Sequence, residues 1–331
     1  MDFCSLVWVV IVLYFSICLA IMCLADSDIL TFIYSYYGKT PAEAFDDKVV
    51  WVTGASSGIG EGMAKELAKC NAKIVLTARR QDELERVKLD CLQLNKKLKS
   101  EDILVIPMDM TDYSSHQKAF DRVIDHFGRL DVLISNAGRS QRASWVDIEL
   151  EVDKNLFDLN VFSLLNLNRI VLRYFLDNNK GQLAVTSSVA GKIGAPFSGS
   201  YTGSKFALHG YFESLRSEIG NKVPITMLCP GPVFSGFLKE AFTEKTGDKF
   251  GQEVQATDRR MTAERCAHLS LVAIANRLDE AWTALFPVIL ILYFFMYQPF
   301  LATKLMKFLS QSGLAMKLRD SRQTMRDQGS T

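Results

Sequence analysis

Six short, continuously apolar runs rich in Val and Ile recur between Lys48 and about Ala275. They are VVWVT (49–53), KIVLT (73–77), ILVIPM (103–108), DVLIS (131–135), QLAVTS (182–187) and PITMLC (224–229). A strand with one wet face alternates polar and apolar residues, whereas these runs do not alternate and read as strands covered on both faces. Amphipathic stretches at 58–69, 81–98, 114–127, 155–178, 200–220 and 262–275 separate or follow them and read as helices. Such strand–helix alternation predicts an α/β fold with a doubly wound parallel sheet, and ligands at the carboxyl ends of its strands.

The 331 residues leave room for one domain of this size plus appendages. With 38 basic and 37 acidic side chains the formal charge is only +1, and no Lys/Arg stripe stands out, which argues against nucleic acid as a partner. Seven scattered cysteines make no disulfide framework, and neither C-x-x-C nor a histidine spacing suggests a metal, so none is expected.

Both ends are apolar. Phe3 to Ala25 carries no charged side chain and is long enough to span a bilayer. No Lys or Arg precedes it, and its apolar core exceeds the length usual for a cleaved signal, so residues 1–25 read as an uncleaved anchor. Residues 26–47 form a connector, and 287–331 an apolar segment followed by a basic tail. Pro287 and Pro299 bracket 11 residues, too few to cross a membrane. If AWTALF (281–286) is a buried strand, even less remains. Residues 288–303 are therefore expected to dip into one leaflet or to shield an apolar substrate mouth, with Lys304 and Lys307 at the headgroups; a core helix is the alternative.

The first strand runs into Thr53-Gly54-Ala55-Ser56-Ser57-Gly58-Ile59-Gly60, and a helix follows. Glycines in these places permit a sharp turn, close approach of a pyrophosphate and tight helix–strand packing, while the helix N-terminus offers free N–H groups. This is a Rossmann-type dinucleotide turn. Gly54 to Gly58 also fits the G-x-S-x-G elbow of hydrolases, but the motif closes the first strand and no histidine has a convincing partner context. After the second strand stand Arg79 and Arg80, where an NAD enzyme would carry an acid, so the expected cofactor is NADP(H). Asp109 and Met110 are placed to meet the adenine, and Asn136-Ala137-Gly138 to wall the cleft.

Tyr201 and Lys205, at i and i+4, share a helix face, and Ser188 stands just past the fifth strand. A tyrosine ordinarily titrates near 10; exchanging protons near neutrality needs a drop of about three units, worth about 4 kcal/mol. A neighbouring ammonium and a cationic nicotinamide both favour phenolate.

TGASSGIG, SNAG, Asn160 in LNVF, Ser188, Tyr201-x-x-x-Lys205 and Pro230-Gly231-Pro232-Val233, in that order, resemble a short-chain dehydrogenase/reductase over about 48–275. The anchor, ELERVK and Ser140-Gln141-Arg142 narrow the resemblance to that family's membrane-bound member 7 group. The resemblance implies a catalytic domain over 48–286, Tyr201 as general acid, Ser188 as hydrogen-bond donor to the substrate oxygen, and Lys205 acting on Tyr201 and the nicotinamide ribose. It further implies Asn160 holding a relay water, and Val233 with Ser235 binding the carboxamide. Ser135 and Ser235 depart from the family's usual Asn and Thr, although both keep a hydrogen-bonding group. Retinoids, steroids or other bulky carbonyls are the implied substrates, with reduction favoured, and the membrane is expected to be endoplasmic reticulum; cleavage of the first segment would instead give a secreted protein. Phe234 to Met261 reads as a lid, and Ile193, Phe197, Phe234 and Leu238 as an apolar pocket lining. Helices 155–178 and 200–220 offer a homodimer face. A catalytically idle NADP(H)-binding sensor or scaffold, and a structural membrane subunit, are rival readings; intact Ser188, Tyr201 and Lys205 count against the first.

Overall fold

The computed structural model describes residues 2–311; the basic tail expected at the C-terminus lies mostly outside them. Seven strands form one parallel sheet: β1 (Val49–Thr53), β2 (Lys73–Ala78), β3 (Ile103–Pro107), β4 (Val132–Ser135), β5 (Gln182–Thr186), β6 (Ile225–Pro230) and β7 (Glu280–Thr283). Their order is β3-β2-β1-β4-β5-β6-β7. The chain starts mid-sheet, winds outward to β3, then returns to the far side of β1, so the switch point lies between β1 and β4. A crevice opens at the carboxyl ends of strands at such a point.

All five residues of β1 are buried, and they feed both faces: Val50 and Val52 enter one core, Val49 and Trp51 the other. The first face is covered by α4 (Gly58–Lys69), α5 (Gln81–Leu94) and α10 (Ala263–Ala275). The second is covered by α6 (Tyr113–Phe127), α8 (Ser163–Asp177) and α9 (Gly199–Ile219). Each helix fills its layer with one apolar stripe, such as Met63, Ala64, Leu67 and Ala68 of α4.

Three structural details extend the sequence expectations around the site. The helix expected over 155–178 is α7 (Leu150–Phe157) joined to α8 through a π turn, Asp158–Phe162, with Asn160 inside it. AWT does form β7, whose half-buried alternation is that of an edge strand. The connector holds α2 (Ile29–Tyr37) and α3 (Pro41–Phe45), the latter started by a Thr40–Glu43 capping box.

The termini meet at the β7 edge. α1 (Phe3–Leu24) has no charged residue and is exposed over most of its length. The chain following it bridges Ser27 to Thr283, and Asp28 accepts a 2.7 Å hydrogen bond from the Trp282 N–H. Beyond β7 come α11 (Val288–Tyr297) and α12 (Pro299–Gln311).

Candidate active site

The glycine turn binds the switch point together. Gly54 and Gly58 have φ of +67° and +59°, a region that side chains resist. At Gly60 a Cβ would lie 2.2 Å from the Gly54 carbonyl oxygen, so helix and turn close only on glycine. Thr53 is buried and points its hydroxyl across to β4, accepting from the N–H groups of Asn136 (3.0 Å) and Ala137 (3.1 Å). The Asn136 amide returns the tie by donating to the Thr53 carbonyl at 3.1 Å.

From this turn a cleft of about 1350 Å³ runs along the strand ends. Gly54, Ser56, Ser57, Gly58 and Ile59 line it, as do Arg79, Arg80, Asp109, Met110, Asn136, Ala137, Gly138, Ser188, Tyr201, Lys205, Val233 and Ser235. Thr53, Gly60 and Asn160 instead sit behind its wall. Nine cationic side chains line the cleft against three acidic ones, so it suits a strongly anionic ligand. Ser56, the serine of the elbow pattern, accepts a 3.4 Å hydrogen bond from the Arg80 guanidinium, a cation and not a base.

Lys205 is almost wholly buried one helical turn from Tyr201, its Nζ 5.8 Å from the Tyr201 ring centre. It donates to the Thr186 carbonyl at 2.8 Å, and burial pulls its ammonium down to about 8. Ser188 lies two residues past the end of β5, its hydroxyl donating to the Pro230 carbonyl at 3.3 Å and accepting from Ala190 N–H at 3.1 Å. Asn160 clamps the Arg139 main chain, accepting from its N–H and donating to its carbonyl, both at 2.8 Å, and donates to Ser204 at 3.0 Å. With its amide so engaged, any water relay at Asn160 must use the main chain of the π turn. Ser135, one of the family departures, accepts from the Asn168 amide at 2.7 Å.

The apolar lining is corrected by the structure. Ile193 and Leu238 line the cleft, but Phe197 and Phe234 do not. Phe197 is exposed with φ of +54°, and Phe234 follows a backbone bridge that ties Val233 to Met261. Phe237 takes the expected place, its ring edge-on to Tyr201 at 5.9 Å. Sequence reasoning also missed Arg139, which directly follows SNAG. Its guanidinium pairs with Glu240 at 3.1 Å and sits 4.9 Å over the Phe242 ring, joining the cleft floor to the segment after β6. Burial, then the like charge of Arg79, lowers its affinity for a proton.

Behind Lys205 lies a second buried cluster. Cys229 Sγ is 3.6 Å from His209 Nε2, and Glu280 pairs with Lys192 at 3.0 Å. Burial pulls His209 down to about 4 and keeps the Cys229 thiol protonated. With Glu280 already neutralised by Lys192, this trio is a poor cation site.

A crossed-over parallel sheet, a glycine turn at its switch point and a Ser–Tyr–Lys set lining one cationic cleft define a class: nicotinamide-dinucleotide oxidoreductases of the Rossmann type. The family model for short chain dehydrogenases matches residues 48–246. The chain belongs to that family. "Dehydrogenase/reductase SDR family member 7" of Mus musculus is 41% identical over 277 residues, covering 83% of this chain and 81% of that protein. "11-beta-hydroxysteroid dehydrogenase-like 2" of Arabidopsis thaliana is 38% identical over 204 residues, covering 61% and 65%. Among solved structures, a short chain dehydrogenase/reductase from Burkholderia phymatum in complex with NAD aligns with a TM-score of 0.64 and 25% identity, covering 75% of this chain and 92% of its own. The narrower resemblance read from the sequence agrees with the first of these.

Proposed function

We propose that this chain is a membrane-associated NADP(H)-dependent reductase of lipophilic carbonyl compounds, retinoid- or steroid-like in size. The observation that carries the reading is the convergence of Ser188, Tyr201 and Lys205 with the Arg79–Arg80 pair on one cleft. The site fits a nicotinamide dinucleotide on its own geometry: a glycine cradle that a Cβ would obstruct, and a cationic wall. Gly54 to Ile59 would hold the pyrophosphate, Asp109 and Met110 the adenine, and Val233 with Ser235 the carboxamide. Arg79 and Arg80 would hold the ribose phosphate that distinguishes NADP(H), since a guanidinium pairs bidentately with a phosphate.

When bound, the cofactor supplies a hydride to the carbonyl carbon. Tyr201 gives its phenolic proton to the carbonyl oxygen, turning ketone into alcohol. Ser188 donates a hydrogen bond to the same oxygen, where negative charge develops. The Lys205 ammonium stabilises the phenolate left behind, and the π turn around Asn160 connects Lys205 to solvent for reprotonation. Ile193, Phe237 and Leu238 exclude water from the apolar part of the substrate. The steroid-related name of the Arabidopsis relative supports the substrate class, and the anchor-like α1 supports the membrane, with the endoplasmic reticulum the proposed compartment.

The test is NADPH consumption by the full chain in detergent or lipid with retinal and a panel of steroid ketones. Tyr201→Phe is expected to lower turnover by about 10²–10⁴-fold while NADPH binding persists. Tight NADPH binding with no turnover on any carbonyl would count for an idle sensor and sink the reductase.

A further inference from the structure

We propose that α11 and α12 form an interfacial hairpin seated in one bilayer leaflet beside α1, and that the cleft wall it makes is a portal through which an apolar substrate passes from lipid to Tyr201. The inference rests on the membrane-bound reductase reading above and adds the route and the surface.

The two ends of the chain are rooted at the same place. Asp28 N–H donates to the Trp282 carbonyl at 2.9 Å, Ala284 N–H to the Asp26 carbonyl at 3.0 Å, and Asp26 pairs with Arg265 at 2.7 Å. The last turn of α1 is thereby fixed to the β7 edge from which α11 departs. Met22 of α1 packs with Ile289 and Leu292, and the Tyr293 hydroxyl accepts the Ile29 N–H at 3.0 Å. Whatever membrane receives α1 also meets α11.

A ten-residue helix extends about 15 Å, half the hydrocarbon thickness, so α11 cannot cross. It has no charged side chain, yet only Ile289 and Leu292 are buried, and the rest is half-buried or exposed. Leu290, Ile291, Phe294 and Phe295 line the catalytic cleft together with Leu305 and Met306 of α12. Beyond them Tyr297, Phe300, Leu301 and Phe308 are exposed. Lys304 lies with its Nζ 4.3 Å over the Phe300 ring, so the only cations of α12, Lys304 and Lys307, sit on stems long enough to reach headgroups. Apolar exposure on this scale is costly in water and is satisfied at a depth of about 5–10 Å in an interface. One wall of the cleft is therefore the back of a lipid-facing surface. A substrate dissolved in the leaflet meets that wall without crossing water.

The experiment uses the full chain in phosphatidylcholine nanodiscs. Phe300→Trp and Phe308→Trp each add an emission to the parent spectrum. That added emission is expected to be quenched by lipids brominated near the headgroup and spared by aqueous iodide; the reverse overturns the seat. Phe300→Glu with Phe308→Glu is then expected to raise KM for lipid-dissolved retinal at least about tenfold. Its kcat, and its turnover of a short water-soluble aldehyde, should match the parent. Equal KM for retinal in variant and parent overturns the portal. If the parent turns over neither compound, the reductase reading has failed, and the quenching result still upholds or overturns the seat.

Discussion

Burying an ammonium is costly unless something answers its charge, and Lys205 is buried with one carbonyl as its hydrogen-bond partner. Its folded-state value of about 8 lies below the ordinary lysine value, so between about 8 and 10.4 the unfolded chain binds more protons than the folded one. Stability tied to this group therefore rises with pH across that window. Lys205→Met is expected to melt above the parent at pH 7 and to lose that advantage as pH nears 10, a trend that thermal melts across pH 7–10 would check; a flat advantage would contradict it. On the role proposed for Lys205, kcat/KM for reduction is expected to fall as pH rises through about 8, which a pH–rate profile would check. The arginines carry the cofactor prediction. Arg79→Ala or Arg80→Ala should each raise Kd for NADPH about tenfold, corresponding to one charge-assisted hydrogen bond, and leave NADH binding unchanged in a titration of cofactor fluorescence. At this scale the site was readable wherever spacing alone decides geometry, as for Tyr201 and Lys205 on one helix face. Arg139 was hidden because its place depends on Glu240 and Phe242, a hundred residues away on a segment with no periodicity. The exchange of Phe234 for Phe237 has the same origin: the Val233–Met261 bridge decides which aromatic faces inward.

Among elements, the π turn is where the sequence pattern and the site part company. A single extra residue in a helix shifts the following face by about a quarter turn, and the amphipathic pattern of 155–178 passes smoothly through it. The shift places Asn160 under Gly138, where a Cβ would lie 3.1 Å from the Asn160 side-chain oxygen and 3.6 Å from Lys205 Nζ. Asn160→Ala removes the clamp on the Arg139 main chain and the bond to Ser204, leaving buried groups unpaired. A loss of about 3 kcal/mol in urea unfolding is expected, together with a fall in kcat larger than any rise in KM. A loss below about 0.5 kcal/mol would show that the clamp is dispensable. The buried parallel strands were legible because two covered faces force unbroken apolar runs. β7 was harder, since an edge strand of four residues alternates and resembles loop. The helices of the connector had a readable signal in the Thr40–Glu43 capping box, though α3 is too short for periodicity to announce it.

At the scale of the whole molecule, the fold separates a well-packed catalytic unit from an apolar flank built by both ends of the chain. The join is made by Asp26, Ser27 and Asp28, not by α1 itself, of which Met22 is the residue that enters the neighbouring core. Deleting residues 2–24 should therefore keep Tm within about 2 °C of the parent, since the strand bridge and the Asp26–Arg265 pair remain. Membrane binding should change in kind. The parent, held by a 22-residue apolar helix, is expected to resist alkaline extraction, while the truncated chain should float with phosphatidylcholine vesicles yet be released by alkali. Adding Phe300→Glu and Phe308→Glu to the truncation should leave it in the aqueous fraction. A truncated chain that never floats would show that α1 alone holds the membrane, and a Tm lowered by about 10 °C would show that α1 braces the fold.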